Sequence, residues 1–223
     1  MTTLRLHHFP ICPYCRTIRI VLAEKGCDVT LEPHEPWRRD ERLLALNPWG
    51  EVPVLEVDDR ALTESLAITE FLEERFTEVR LGGDDIWSRT EVRRLAAHFT
   101  TKFAREVTDH LWRQKLIYRL KRSGTLNTGA LRAGQENIRT HLGYIGWLAR
   151  SRNWLAGEHL SLADLTAAAH LSVLDYLGDV PWETDADAKE WYARIKSRPS
   201  FRGLLADKIP QQAPVAHYAD LDF

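Results

Sequence analysis

Cys12 and Cys15 enclose Pro13 and Tyr14 in a Cys-x-x-Cys run, a spacing that reads as redox or thiol chemistry, or as a remnant of it. Pro13 fits the first position of a helix, where its missing N–H costs nothing. Cys12 then stands at a helix N-terminus, facing unpaired N–H groups and the positive end of the helix dipole, both of which favour thiolate. Arg16 and Arg19 add positive charge nearby. Cys12 is therefore a candidate nucleophile or ligand-contacting thiol; the plainer reading is a small residue that starts the helix. Cys15, one turn on, could resolve a mixed disulfide or simply pack, and Cys27 reads as structural. Three cysteines near one end do not make a disulfide scaffold. No spaced ligand pair accompanies His7 and His8, so no metal is expected.

Further stretches carry local signals. In Glu51-Val52-Pro53-Val54-Leu55 a proline interrupts an apolar strand pattern and removes a ladder bond. A cis peptide at Val52–Pro53 in a sharp turn resolves the conflict. It would also expose the Val52 backbone to an extended peptide-like ligand, or serve only as a scaffold turn. Glu64-Ser65 heads a helix; Ser65 is placed as its N-cap, and the free N–H groups could hold a carboxylate. Ser161 and Asp164 have capping-box spacing, which is a folding signal. Trp37, in the polar stretch Glu35-Pro36-Trp37-Arg38-Arg39-Asp40, is a plausible binding hot spot if exposed; otherwise it packs under its loop or at a dimer interface. At the end of the chain, after His217, the aromatics Tyr218 and Phe223 alternate with Asp220 and Asp222. Such aromatics gain nothing unless they dock, either on the parent helical domain or on a partner.

The elements that must position these residues follow from periodicity. Residues 3–8 read as a strand, 13–24 as a helix closed by Gly26, and 29–32 as a second strand. A short polar helix at 38–45 is followed by a turn at Asn47-Pro48-Trp49-Gly50. Strands at 51–57 and 60–63 are joined by Asp58-Asp59, and a helix covers 65–75. The order β-α-β-α-β-β-α is the thioredoxin-like arrangement. Beyond a Gly- and Asp-rich stretch near 80–85 everything reads helical. Ile138, Leu142, Ile145 and Leu148 form one apolar stripe, and Leu165, Ala169, Val173 and Tyr176 another. The expected organisation is a thioredoxin-like domain at 1–78, a linker at 79–87, an all-helical domain at 88–209 and a tail at 210–223. Residues 123–134, rich in Gly, Ser and Thr, read as a loop between helices.

Composition narrows the function classes. A net charge of −2 shows no nucleic-acid footprint or basic membrane face. No apolar run approaches the roughly 20 residues that span a bilayer, and the first ten residues lack a secretory apolar region. A cytoplasmic protein is expected.

Taken together, Cys12-Pro13-Tyr14-Cys15-Arg16, Asn47-Pro48, the Glu51–Leu55 stretch, Glu64-Ser65 and the Ser161/Asp164 box resemble the cytosolic glutathione transferases over the whole chain. The resemblance implies an α/β plus all-α glutathione-transferase fold. It gives Cys12 the catalytic position, the Val52 backbone beside Pro53 the cysteinyl contact, and Glu64 and Ser65 the γ-glutamyl carboxylate. The second half resembles a narrower group, the FtsZ-binding FzlA-type subfamily of alphaproteobacteria. That likeness lies in NIRTHLGYIGWLARSRNWLAG at 137–157, VLDYLGDVPW at 173–182, WYARIKSRPSFRGLLADK at 191–208, the terminal HYADLDF, and Glu35-Pro36-Trp37. It implies a homodimeric regulator of cell division that binds FtsZ filaments and favours curved, bundled forms, with no cofactor and no catalysis. Partner contacts are then expected from Trp37, His217, Tyr218, Asp220, Asp222 and Phe223, at the division site. The retained Cys12 leaves glutathione binding open, and with it the alternative of a glutathione-dependent transferase or thiol-transferase.

Overall fold

The structure, a computed structural model, describes residues 2–210 and 212–221. Strand β1 (Leu4–His8) buries Leu4 and Leu6 and lies inside a four-stranded sheet of order β2-β1-β3-β4. It runs parallel to β2 (Thr30–Pro33), with Leu6 opposite Leu31, and antiparallel to β3 (Val54–Val57), with Leu6 opposite Leu55. Parallel neighbours need a crossover, and helix α1 (Pro13–Glu24) supplies it, burying Cys15, Ile18, Val21 and Leu22 completely. Strands β3 and β4 (Arg60–Thr63) form the hairpin, and Asp58 takes the left-handed conformation its turn requires.

Two starts and one cap differ in kind from the sequence expectation, beyond shifts of a single residue at β1 and β2. The polar helix does not start at residue 38: Pro36–Arg38 forms a separate 3-10 turn, and α2 spans Glu41–Leu46. Asp40 sets this start by accepting a bond from the Leu43 N–H at 2.9 Å, as an N-cap does. Strand β3 begins only after the Val52–Pro53 bond, which is cis as expected. Glu64, at φ 66°, holds the N-cap position of helix α3 (Ser65–Arg75) without a side-chain cap bond, and Ser65 is the first helical residue and not the cap.

The second half is helical. Helix α4 (Ile86–Ala97) continues through a π-wound segment (His98–Ile117) into α5 (Tyr118–Lys121), followed by α6 (Thr128–Ser151), α7 (Leu162–Tyr176), α8 (Ala186–Lys196) and the short α9 (Arg202–Leu205). Every residue of α7 is buried, so it is the axis of the domain and not a helix with one apolar stripe. It packs on α1, α4, the π-wound segment and α8. The box at its start forms: the Ser161 N–H and hydroxyl donate to Asp164 Oδ2 at 3.0 and 2.8 Å. Leu155 N–H and the Trp191 indole donate to Asp164 Oδ1, tying α7 to its neighbours.

The stretch 123–134 is a loop only in its first part, because Asn127 caps α6 by accepting from the Ala130 N–H at 3.0 Å. Gly134 lies within that helix for packing. A Cβ there would come within 2.9 Å of His110 Cβ and Leu111 Cγ. Gly146 is tighter still, since a Cβ would overlap the Asp185 carboxylate. Asp185 caps α8 through the N–H groups of Asp187 and Ala188, at 3.1 and 3.0 Å. Gly146→Ala is expected to displace that cap and destabilise the fold by about 2 kcal/mol, measured as a lowered urea midpoint.

Candidate functional site

The residues singled out from the sequence converge only in part. A cleft of about 280 Å³ opens between the sheet domain and the π-wound helix. One wall carries Cys12, Tyr14 and Val52 with the Trp37 turn, and the other carries Trp112, Arg113 and Ile117. Pro53 is buried behind Val52. Glu64 and Ser65 do not line this cleft; Ser65 lines a shallow groove between α3 and α4 with Leu66, Val92 and Arg93.

Cys12 is the N-cap of α1 and is 5% exposed, at the floor of the cleft. Burial alone would raise its pKa. The Cys15 thiol, the N–H groups of Cys15 and Tyr14, and the Arg16 charge outweigh it and hold the Cys12 thiol below its ordinary value. Cys15, fully buried, is pushed well above its ordinary value by burial, by its bond to Cys12 and by the Cys12 charge. The two thiols are thus polarised in opposite directions. Burial pushes the neighbouring Tyr14 up to about 12, so it acts as a hydroxyl at any ordinary pH.

Trp37 is half-buried and stands edge-on to Phe9, with ring centroids 5.1 Å apart. It therefore walls the cleft and does not project freely. The exposed tryptophans are others: Trp49 at 77%, Trp87 at 80% and Trp147 at 55%.

At Tyr218 the tail takes the first of its two alternatives and docks on its own chain. Tyr218, read as docking on its own domain or on a partner, is fully buried in its own chain. Its hydroxyl donates to Leu204 O at 3.1 Å and accepts from Arg16 Nη1 at 2.9 Å. His217 and Asp220 remain exposed, with His217 Nε2 3.4 Å from Asp175 Oδ1. Asp222 and Phe223 lie outside the described residues.

Arg16 is the residue that sequence reading missed. Its place in the sequence marks it as a charge beside Cys12, yet it is fully buried. Nε donates to Pro10 O, Nη1 to Ser172 Oγ and the Tyr218 hydroxyl, and Nη2 to Asp207 Oδ2. One side chain thus joins α1, α7, the segment after α9 and the tail. Among the described residues no cluster of His, Cys, Asp or Glu could hold a metal ion, and no helix is long and apolar enough to cross a membrane.

Comparison with known proteins matches this geometry. Residues 6–80 match the model of the glutathione S-transferase N-terminal domain. FtsZ-localized protein A of Caulobacter vibrioides is 47% identical over 222 residues, covering 98% of this chain and 97% of the relative. The crystal structure of a glutathione S-transferase from Rhodospirillum rubrum superposes with a TM-score of 0.96 at 51% identity, covering 99% of this chain and 100% of that one. The structure of FzlA from C. crescentus superposes with the same TM-score at 47% identity and the same coverage. The chain belongs to the glutathione S-transferase superfamily, in the family of FtsZ-localized protein A.

Proposed function

We propose that the chain is a cell-division regulator that binds FtsZ filaments and favours their curved or bundled forms, working as a homodimer in the cytoplasm at the division site. The observation that carries this reading is the near-full-length identity to FtsZ-localized protein A. That similarity runs through the helical domain and tail as well as the thioredoxin-like half. A dimer would present each binding surface twice and bridge filament subunits by avidity. Leu66 on α3 and Trp87 on α4, 53% and 80% exposed, offer an apolar face for a second copy.

Co-sedimentation with GTP-assembled FtsZ tests the reading. The intact chain is expected to pellet with filaments, and its failure to do so overturns the proposal. A chain ending at Leu221 keeps Tyr218 in place and loses Asp222 and Phe223. It is expected to keep the melting temperature of the intact chain and to bind several-fold more weakly. Binding equal to that of the intact chain removes the last two residues from the interface. A chain ending at Val215 is expected to lose stability as well, because Arg16 loses a partner.

A second reading, glutathione-dependent transfer at Cys12, is favoured by the thiolate-stabilising cap and by the Val52 backbone beside it in the cleft. Retention on glutathione resin, lost or weakened in Cys12→Ser, supports it; no retention and no turnover with an electrophile or a mixed disulfide removes it.

A further inference from the structure

We propose that the face built by α4, the π-wound segment and α6 around Trp147 is a docking surface for an acidic amphipathic helix of another protein, separate from the cleft, from the tail and from the filament contact proposed above.

The face is fixed in advance and left open. Trp147 is 55% exposed and lies flat on Tyr144, with ring centroids 6.0 Å apart and planes 15° from parallel. Tyr144 is itself held, because its hydroxyl accepts from Arg94 Nη1 and Nη2 at 3.1 and 3.2 Å. Arg94 in turn donates to both carboxylate oxygens of Glu91, at 2.7 and 2.8 Å. An exposed indole already held in one orientation loses little freedom when a partner covers it, which suits a binding hot spot. One turn before Trp147, on the same side of α6, stands Gly143. Gly134 and Gly146 are required by their neighbours, but a Cβ at Gly143 would meet no atom of the described residues within 4 Å. Its backbone has no left-handed φ either. A glycine inside a helix weakens it relative to alanine, and among the described residues no packing contact offsets that loss. Bare backbone beside an exposed tryptophan admits the close approach of a second helix.

Charge selects the partner. Glu91 is shared by two cations, Arg94 and Arg152, each 2.7 Å away. Ring contacts from Tyr144 to His98 and from His98 to His141 carry the strip on to Glu106, which bonds His141. Glu106 is likewise shared by Lys102 and by Arg105, the latter at 3.8 Å. Burial lowers both His98 and His141, so neither adds charge at neutral pH. One cation is thus left over at each carboxylate, on a chain whose net charge is −2. An acidic helix complements that surplus. A second copy does not, because a two-fold contact of this face with itself would set one cationic surplus against the other. In a helix-on-groove arrangement the partner's apolar side chains cover Trp147 and Gly143, and its acids face Arg94, Arg152, Lys102 and Arg105.

The test uses the whole chain and a fluorescein-labelled helical peptide of about 18 residues, roughly five turns, with leucine along one face and glutamate on its flanks. A control peptide has lysine in place of every glutamate. Read by fluorescence anisotropy at low ionic strength, the glutamate peptide is expected to bind about tenfold more tightly than the lysine peptide. Trp147→Ala is expected to weaken its binding about tenfold with an unchanged melting midpoint. Gly143→Leu puts a better helix former into open space. It is expected to raise the melting midpoint by about 2 °C and yet to bind the glutamate peptide about tenfold more weakly. The proposal is overturned if the intact chain binds neither peptide, if either variant binds the glutamate peptide like the intact chain, or if the lysine peptide binds as tightly. Both variants are expected to pellet with FtsZ filaments as the intact chain does, and to keep its oligomeric state in sedimentation. Loss of pelleting would assign the face to the filament, and a smaller species would assign it to a second copy; either result overturns the proposal. Failure of the intact chain itself to pellet removes the filament reading and leaves this one standing.

Discussion

Replacing Arg16 with methionine is expected to destabilise the fold by about 3 kcal/mol, near the lower end of the range for breaking a buried ion pair. The guanidinium is fully buried and lies 5.9 and 5.8 Å from the Tyr176 and Tyr218 ring centroids. Its bonds to Pro10 O, Ser172 Oγ and the Tyr218 hydroxyl are each 2.9 Å, and that to Asp207 Oδ2 is 3.1 Å. Methionine fills much of the volume, and what it leaves behind sets the cost. Ser172 still donates to Ala169 O at 2.7 Å, and Tyr218 still donates to Leu204 O. Asp207 keeps Arg19 at 2.8 Å, so its carboxylate is not stranded, which keeps the loss near the lower end. Pro10 O loses its side-chain donor. In thermal melts a loss of that size lowers the midpoint by roughly 6–12 °C for a chain of this length. Arg16→Lys is not expected to rescue it, because one ammonium cannot serve groups on opposite sides of a planar fork. A midpoint within about 2 °C of the intact chain in both variants would show that the network adds no net stability.

That network also marks the limit of what the sequence disclosed. The bounds of α1, β4 and α3 follow from local signals: Pro13 and Gly26 around an apolar repeat, and the Asp58-Asp59 turn before a short alternating strand. The cis bond was legible because proline has few other ways to sit beside a strand. The cleft wall carrying Cys12 and Val52 follows from those same elements, each local to its own segment. Arg16 is not legible, because its side-chain partners Ser172, Asp207 and Tyr218 lie 156 to 202 residues away in sequence. An arginine on a helix reads as solvated unless the far side of the pocket is known. Tyr218 was hidden for the same reason, since the pattern says that a tail aromatic must dock but not where. The role of Gly134 was hidden because a glycine needed for close helix packing has the same signature as one in a loop. The cap of α3 is not legible at Ser65, because the left-handed backbone of Glu64 gives the capping position to a residue with no usual preference for it.

Acid is expected to weaken the fold well above the carboxylate range, and buried histidines set the slope, His8 and His170 most deeply. His8 is 4% exposed with Nδ1 unpartnered. Burial lowers its pKa to about 3, helped by the charges of Arg19, His34, Arg16 and His7. His170 is fully buried in α7, with Nδ1 3.0 Å from Thr108 Oγ1, Nε2 unpartnered, and Tyr14 and Phe103 edge-on to its ring. Burial lowers it to about 3 as well. In the unfolded chain both bind a proton near pH 6.5. Their contribution to stability is therefore complete above about pH 6.5, is lost as pH falls below that value, and stops changing below about 3. Each withheld proton is worth about 1.4 kcal/mol per pH unit, so the pair gives on the order of 2–3 kcal/mol per unit between pH 6 and 4. Asp164 and Asp179, raised by burial, oppose this, since the folded state gains by protonating them first as pH falls through their folded values. Glu91, lowered to about 2 chiefly by its bond from Arg94, adds to the loss once pH passes below about 4.5. Between pH 6 and 5 histidines dominate, but His98, lowered to about 4 chiefly by burial, and His141, also lowered by burial, add to the slope, so urea midpoints measured at pH 7.5, 6 and 5 read all four together. His170→Met keeps the side chain apolar and near its volume, and is expected to reduce the slope by about 1.4 kcal/mol per pH unit while leaving the fold intact at pH 7.5. A slope unchanged by that substitution would mean that His170 accepts its proton inside the fold. The packing of Tyr14 and Phe103 around its ring would then have to open before the chain unfolds.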